Sequence, residues 1–246
     1  MTRDLEFGGN TYQPAIRHLN DMKDVVYDQS WTRKAENLEL YYMYRDLYVV
    51  PEDLTAIMKN HLRYDITIIP PGTLGPEHVK TAGHYHPPVP GTKLSYTEIY
   101  EVLEGTAHYL LQKEANKRVI DVAWLECKEG DKIIIPPDYG HVTINPSNSQ
   151  QLKMANWVSR DFKSEYQRYR DNRGGVYYEL SSGDWIKNER YSWIPKIRKI
   201  KPTNYAEWGL RTKDMYSLIH EVDKLAYLNR PQDYRELFKR IMDEEA

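Results

Sequence analysis

Short runs of apolar and β-branched residues, most of them ended by glycine, proline or polar turn residues, fill the middle of the chain. Their length and their alternation predict strands rather than helices. The expected strands cover residues 64–69, 97–103, 106–112, 119–126, 132–135, 142–144 and 152–158. Because no helical period separates these runs, the series indicates a β-sandwich or a β-barrel.

The flanking segments have other patterns. The aromatic-rich segment 38–50 predicts one more strand, and segment 51–61 predicts a short helix because a proline opens it and two acidic residues follow. Residues 176–180 predict a late strand. Apolar residues recur every three or four positions in 212–228, and again in 232–243 after a proline, which predicts two amphipathic helices.

This change of pattern divides the chain of 246 residues at about residue 165. We expect residues 1–165 to form a barrel domain with an N-terminal extension. We expect residues 166–246 to form a C-terminal extension, with strands first and then two helices, that packs on the barrel. The segment from Ser159 to Lys201 is basic and aromatic, which indicates either a solvated surface or positive potential near an anionic ligand.

Charge and composition narrow the classes of partner. The chain has 34 Lys+Arg against 36 Asp+Glu, so nucleic acid is not an expected partner. It has no run of 18 apolar residues and no apolar core near its charged N-terminus, so we expect no membrane partner and no signal peptide. The single cysteine, Cys127, fits a cytoplasmic location. The 21 tyrosines and 3 phenylalanines fit either a partly hydrated interior or a cavity for a polar ligand, because tyrosine adds a hydroxyl to its apolar ring.

The strongest chemical signal is the pair His84 and His86, which share one face if the segment is extended. A lone His-x-His pair is weak evidence, since satisfied structural histidines are common. Glu98 and His141 could join the pair from elsewhere in the chain. Three neutral imidazoles and one carboxylate suit a divalent first-row metal.

The two blocks around these residues resemble the paired motifs of the cupin superfamily. The first reads Gly83, His84, His86, Glu98 and Gly105, and the second reads Gly130, Pro136, His141 and Asn145. The resemblance implies a mainly β fold, the cupin double-stranded β-helix or jelly-roll barrel. There are two departures: the gap from His86 to Glu98 is longer than usual, and Asp138 stands where the second motif expects glycine.

Two segments narrow the resemblance further: Thr81-Ala82-Gly83-His84-Tyr85-His86 and Glu98-Ile99-Tyr100-Glu101-Val102-Leu103-Glu104-Gly105. They are similar to the cupin-type glucose-6-phosphate isomerases of archaea, with similarity from about Thr67 to His141 and a weaker continuation to Tyr166. The resemblance implies a metal-dependent enzyme of glycolysis and gluconeogenesis that interconverts glucose 6-phosphate and fructose 6-phosphate. Its ligand would be a sugar phosphate, with one divalent Fe, Mn, Ni or Zn ion per subunit.

The resemblance also implies roles for single residues. The metal ligands would be His84, His86, Glu98 and His141. Glu98 and Tyr100 would be catalytic. Substrate would be bound by Thr67, Thr81, Gly83 and Tyr166. Smaller members of the family carry a histidine near Ser164, and this chain has none between His141 and His220. Lys163, Glu165 and Tyr166 are the candidates to replace it.

Several alternatives stay open at this point. The isomerisation can proceed through an enediol, with Glu98 as the base, or through a metal-assisted hydride shift. The same ligand set would suit a cupin oxygenase, and the barrel could also be a sugar-binding module without turnover. We expect a homodimer, because the aromatic N-terminal strand would otherwise leave an open sheet edge.

Overall fold

A computed structural model describes residues 3–208, 210 and 214–243 of the chain. The strands of these residues are β1 Leu5–Phe7, β2 Asn10–Tyr12, β3 Ala15–His18, β4 Glu39–Tyr44, β5 Leu62–Ile69, β6 Thr73–Leu74, β7 Glu77–His78, β8 Glu98–Glu104, β9 Thr106–Ala115, β10 Arg118–Lys128, β11 Lys132–Ile135, β12 Tyr139–Ile144, β13 Leu152–Ser159, β14 Tyr177–Glu179, β15 Trp185–Lys187 and β16 Arg198–Lys199.

The helices are short, and several of them are 3₁₀-helices. The α-helices are α1 Leu19–Met22, α2 Gln29–Thr32, α3 Pro51–Lys59, α4 Gln167–Asp171 and α5 Arg235–Asp243. The 3₁₀ segments are Lys23–Val25, Ala206–Trp208, Met215–Leu228 and Pro231–Asp233. None of the described helices is long and apolar enough to cross a membrane.

Two sheets form the body of the molecule. The larger has six strands in the order β11-β8-β13-β5-β4-β3, and the smaller has four in the order β12-β9-β10-β16. Adjacent pairs are antiparallel except β10 and β16, which are parallel. The predicted mainly β jelly-roll barrel is therefore confirmed, and all seven predicted central strands are present with small shifts at their ends.

Strand β8 has two faces with different surroundings. Tyr100 and Val102 belong to the apolar cluster inside the barrel, whereas Ile99 belongs to a second cluster on the outer face of the six-stranded sheet. Strand β13 alternates in the same way, with Met154 inside and Trp157 outside. This period of two residues is the expected consequence of the pleat.

The C-terminal residues cover the outer face of the six-stranded sheet. Tyr216, Leu225, Tyr227 and other side chains of segment 205–241 pack in the outer cluster. Beneath them, Lys132 on β11 forms a buried ion pair with Glu101 on β8, at 2.9 Å. Glu101 also accepts a hydrogen bond of 2.7 Å from the backbone N–H of Met215. The C-terminal extension and the sheet together therefore shield this ion pair from water.

The helical prediction for segment 212–228 is only partly right. Thr212 lies outside the described residues, and Met215–Leu228 is 3₁₀ with non-helical backbone angles at Glu221. An apolar residue at every third position suits a 3₁₀-helix as well as an α-helix, so the pattern did not separate them. The aromatic strand β4 also differs from expectation: β3 and β5 flank it, so it is not a sheet edge. The homodimer stays a prediction that has lost this supporting reason.

Candidate metal centre

The four predicted metal ligands converge at one point inside the barrel. One ligand atom from each of His84, His86, Glu98 and His141 lies within 4.8 Å of all the others. Oε2 of Glu98 lies 3.3 Å from Nε2 of His86, 3.3 Å from Nε2 of His141 and 3.9 Å from Nε2 of His84. The ligands come from chain positions as far apart as 84 and 141, and only the closed barrel brings them together.

Local backbone geometry positions His84 and His141. His84 and His141 exchange backbone hydrogen bonds of 3.2 and 3.0 Å, which fixes the segment of His84 against β12. Gly83 precedes this bridge with a φ of +75°, and a Cβ there would come within 2.6 Å of the Tyr169 ring. Glycine is therefore required by both conformation and space.

The electrostatics of the cluster favour the protonation states that bind a metal. Burial lowers the pKa of His84 well below its ordinary value, and the neighbouring His141 and His86 lower it further. Burial alone would raise the pKa of Glu98, but His141 and His86 outweigh burial and hold that pKa well below its usual range. Neutral imidazoles and an ionised carboxylate are the forms that coordinate a cation.

Two further groups orient the ligands, and the Tyr100 hydroxyl lies beside a third ligand. Asn156 donates a 2.7 Å hydrogen bond to Oε1 of Glu98, which turns Oε2 towards the histidines. Nδ1 of His86 lies 3.1 Å from the carbonyl oxygen of Tyr96, so an N–H at Nδ1 leaves Nε2 as the lone-pair donor. The Tyr100 hydroxyl lies 3.3 Å from Nε2 of His141. Such partners of the ligands tune metal affinity.

These residues fit a divalent first-row metal ion. Oε2 of Glu98 is buried, and no donor among the described residues makes a well-aligned hydrogen bond to it. A buried, ionised oxygen without a partner is costly unless a cation satisfies it. With three imidazole nitrogens facing the same space, the donor set suits Fe, Mn, Ni or Zn.

A narrow cleft with a volume of about 70 Å³ leads to this cluster, and we call it the metal cleft. Its walls come from strands β4, β5, β8 and β13 and from the segments around residues 81–84 and 164–166. The lining residues are Tyr41, Met43, Arg45, Arg63, Asp65, Thr67, Thr81, Ala82, His84, Glu98, Tyr100, Met154, Asn156, Ser164 and Tyr166.

The structure brings most of the predicted substrate residues to this cleft. Thr67, Thr81 and Tyr166 line it, and the Tyr166 ring centroid lies 5.6 Å from that of His84. Thr81 Oγ1 accepts a hydrogen bond from the backbone N–H of Thr143, so its own proton is left to donate to a ligand. Gly83 is absent from the lining, although its neighbours Ala82 and His84 belong to it.

The candidates to replace the missing histidine are placed differently from one another. Tyr166 and Ser164 line the metal cleft, and Lys163 lines an adjoining pocket that also includes His86 and Glu98. Glu165 lines neither pocket, and its backbone pairs with Tyr85 instead. His108 on β9 is not part of the ligand cluster: its ring nitrogens face Glu179 on β14 and Glu126 on β10.

Sequence reasoning missed three charged residues of the cleft. Arg45, Arg63 and Asp65 line it, and Nε of Arg63 donates a 2.7 Å hydrogen bond to Asp65. Nη1 of Arg45 lies 3.8 Å from the same carboxylate oxygen. Burial raises the pKa of Asp65 to about 6, although Arg63 and Arg45 act in the opposite direction. The alternation of β5 was the available signal, since it places Arg63, Asp65 and Thr67 on one face.

The departure at Asp138 has a structural explanation. Asp138 has a φ of +68°, the left-handed conformation that glycine adopts freely and aspartate tolerates. Its backbone N–H donates to Ser95 Oγ at 2.7 Å, and its carboxylate accepts from the Ser95 N–H at 3.1 Å. Ser95 ends the long insertion after His86, so the two departures from the motif support each other.

Comparison with known proteins identifies the family of the chain. Residues 16–196 match the model of the family described as glucose-6-phosphate isomerase. The chain belongs to the glucose-6-phosphate isomerase family. The match begins earlier and ends later than the stretch from Thr67 to Tyr166 that carries the resemblance in the sequence.

Three curated relatives named glucose-6-phosphate isomerase show the distance within the family. The protein of Pyrococcus abyssi is 28% identical over 143 residues, which cover 57% of this chain and 67% of that protein. The protein of Pyrococcus furiosus is 28% identical over 131 residues, 53% of this chain and 62% of that protein. That of Thermococcus litoralis is 26% identical over 142 residues, 57% of this chain and 67% of that protein.

Solved structures give partial matches. Vicilin from Corylus avellana is 14% identical, with a TM-score of 0.37 over 51% of this chain and 30% of that one. Recombinant oxalate oxidase in complex with glycolate is also 14% identical, with a TM-score of 0.34 over 44% of this chain and 46% of that one.

Proposed function

We propose that this chain is a metal-dependent glucose-6-phosphate isomerase that interconverts glucose 6-phosphate and fructose 6-phosphate. The observation that carries the proposal is the convergence of His84, His86, Glu98 and His141 at the inner end of a polar cleft, in a chain of this family. Membership of the family does not favour the alternatives of an oxygenase or a sugar-binding module without turnover.

The chain's residues supply binding at one end of the cleft and proton chemistry at the other. The hydroxyls of Thr67 and Thr81 are suited to donate hydrogen bonds to the phosphate of the sugar. Tyr100 stays protonated, because burial and then the charge of Glu98 raise its pKa well above the ordinary value. It is therefore a hydroxyl donor beside His141. Tyr166 closes the cleft near His84.

Glu98 is the candidate to move a proton between the first two sugar carbons. A divalent ion bound by the four ligands would polarise the carbonyl and hydroxyl oxygens of the substrate. The lowered pKa of Glu98 makes it a weak base, so the hydride shift remains the competing route. Uptake of solvent deuterium at C2 would support the enediol, and complete retention over many turnovers would support the hydride shift.

The deciding experiment is the conversion of fructose 6-phosphate to glucose 6-phosphate before and after chelation, with Fe, Mn, Ni and Zn added back singly. We expect the chelator to abolish activity and at least one metal to restore it. Glu98→Gln should remove activity, whereas Glu104→Gln, at the end of the same strand and outside the cleft, should retain it. No turnover with any metal, in folded and metal-bound protein, would contradict the proposal.

The proposal extends to the pathway, the location and the oligomeric state of the enzyme. A hexose phosphate isomerase belongs to glycolysis and gluconeogenesis, and a single buried cysteine fits the reducing cytoplasm in which those reactions run. We also propose a homodimer, which sedimentation or light scattering would test directly. The near-neutral charge supports a small-molecule substrate over nucleic acid.

A further inference from the structure

Arg45, Asp65 and Arg63 form a charged cluster in the metal cleft, and we call its two arginines the arginine pair. Both guanidinium groups share the single carboxylate of Asp65, whose other oxygen accepts the backbone N–H of Asp46 at 3.0 Å. The Asp65 side chain is 6% exposed, whereas those of Arg63 and Arg45 are 24% and 42% exposed. The cluster therefore carries excess positive charge towards the cleft.

The register of the sheet locates this cluster relative to the two ends of the cleft. Thr67 pairs with Met43 on β4 and Met154 on β13, which defines one level across the sheet. Arg63 pairs with Val158, and Val158 pairs in turn with Glu98 on β8. Arg63 is therefore level with the metal ligand, whereas Thr67 lies four residues away, about 13 Å along the strand.

A sugar phosphate held at Thr67 would reach the arginine pair with its opposite end. An open-chain hexose phosphate is shorter than this backbone spacing, and the side chains of Arg45 and Arg63, which line the cleft, would have to span the remainder. The end that carries C1 and C2 would then lie between the metal ligands and the guanidinium groups. Guanidinium groups bind carboxylates and other oxyanions through charge-assisted hydrogen bonds, frequently in a bidentate manner.

We propose that Arg45 and Arg63 form an anion-binding subsite for the C1 end of the substrate, separate from the phosphate subsite at Thr67 and Thr81. This inference rests on the proposed function for the identity of the sugar, and names the two arginines as specificity determinants of the same cleft. The subsite selects ligands with negative charge at C1: a carboxylate in a sugar acid, or the oxyanion that develops there during isomerisation. Asp65 orients Arg63 through its Nε hydrogen bond.

The test compares two ligands of equal length that differ in charge at C1. One is a six-carbon aldonic acid 6-phosphate, with a carboxylate at C1, and the other is the matching alditol 6-phosphate, with a neutral hydroxymethyl group. Dissociation constants for both are measured by calorimetry on metal-loaded wild-type protein and on Arg63→Gln and Arg45→Gln. Arg170→Gln, an exposed arginine on α4, is the matched control for loss of one positive charge.

We expect wild-type protein to bind the sugar acid more tightly than the alditol, and each cleft variant to lower that preference tenfold or more. The dissociation constant for the alditol should change less than threefold, metal content by elemental analysis should stay at the wild-type value, and Arg170→Gln should behave as wild type. Because Arg45 is the more exposed of the pair, Arg45→Gln keeps the test decisive if Arg63→Gln fails to fold.

The result that would overturn the subsite is an unchanged preference, within twofold, in folded and metal-loaded Arg45→Gln, or the absence of binding of either ligand to wild-type protein. These outcomes are distinct from failure of the proposed function. An active isomerase whose variants keep the preference would retain the function and lose the subsite. A protein without turnover whose variants lose the preference would retain the subsite and lose the function.

Discussion

At the scale of single residues, the metal centre depends on side chains that are not themselves ligands. Asn156 holds one carboxylate oxygen of Glu98 so that the other faces three imidazoles. Asp65, Arg45 and Arg63 form a second polar cluster in the same cleft. The partners of Asn156 and Asp65 are defined, so the role of each residue can be tested by one substitution.

Removal of the Asn156 side chain should weaken metal binding without loss of the fold. In Asn156→Ala, Oε1 of Glu98 loses its 2.7 Å donor, and the carboxylate is free to rotate away from the histidines. We expect a 10- to 100-fold lower zinc affinity in a competition titration, which is a typical effect of removing a partner of a ligand. The exposed Asn148→Ala is the control, and equal affinities in the two variants would contradict the assigned role.

Asp65 should make stability depend on pH between about 4 and 6. Burial raises its folded-state pKa from 3.8 to about 6, so the folded protein binds the proton more tightly than the unfolded chain does. The resulting stabilisation is full below about pH 4 and is lost as the pH rises through about 6. At 1.36 kcal/mol per pKa unit, the loss is about 3 kcal/mol.

The comparison that isolates this contribution is wild type against Asp65→Asn in urea unfolding at pH 4 and pH 7. The free energy of unfolding of wild type minus that of the variant should fall by about 2 kcal/mol over this interval, since part of the full contribution of about 3 kcal/mol is already lost at pH 4. A constant difference would show that Asp65 does not titrate there in the folded protein.

At the scale of elements, the turn before His84 is the most demanding piece of backbone in the site. Gly83 combines a φ of +75° with a position where a Cβ would lie 2.6 Å from the Tyr169 ring and 2.8 Å from Val142. The backbone angle and the lack of space therefore both exclude a side chain at Gly83. The position of the neighbouring His84 depends on this turn.

Gly83→Ala should be far more destabilising than the same change at Gly91. Gly91 has a φ of +79° but no heavy atom within 4 Å of an added Cβ, so it isolates the cost of the left-handed backbone. We expect about 1–2 kcal/mol at Gly91 from backbone strain and a further 1–3 kcal/mol at Gly83 from overpacking. Thermal and urea unfolding measure both, and similar losses at the two glycines would show that Tyr169 moves aside.

Element boundaries were predictable to different degrees for physical reasons. The central strands were found because turn residues bound each apolar run, as around β11, where the predicted and observed residues are the same. The extended segment of His84 and His86 forms isolated bridges rather than a long strand, although the shared face of the two histidines is as expected. Segment 215–228 was assigned the wrong kind of helix, because the spacing of its apolar residues fits both kinds.

At the scale of the whole molecule, a buried ion pair lies between the sheet and the C-terminal extension. Lys132 and Glu101 have side chains that are 1% and 0% exposed, and the Met215 N–H binds the same carboxylate. In Lys132→Met, Glu101 would keep a buried charge without its cation, which costs about 3–5 kcal/mol. Because burial already raises the pKa of Glu101, part of that cost would be relieved by protonation.

The measurement is the free energy of unfolding of Lys132→Met against Lys128→Met. Lys128 is 71% exposed and pairs with Glu126 at the surface, so its loss should cost no more than about 1 kcal/mol. Adding Glu101→Gln to Lys132→Met should recover part of the stability, because no buried charge then remains. Equal effects of the two lysine substitutions would show that water reaches the pair.

The sequence was sufficient to identify the four residues that converge as candidate metal ligands and insufficient for their surroundings. His84, His86, Glu98 and His141 lie in motifs whose spacing is visible along the chain. Arg63, Asp65 and Asn156 belong to the site through sheet register and pleat, which no local spacing records. The division at residue 165 stays a prediction, as do the metal identity and the dimer.

The two faces of β8 have a consequence for how the protein opens. Tyr100 and Glu98 face the ligand cluster, whereas Ile99 and Glu101 face the C-terminal segment, so an opening of β8 breaks the contacts of both faces. A metal ion bound by the four ligands should then protect the C-terminal segment from proteolysis. Protease cleavage within 215–243, where it proceeds through opening of β8, should slow in proportion to the ratio of free ion concentration to its dissociation constant. The rate of cleavage within 215–243 would thus report how much of the protein has metal bound.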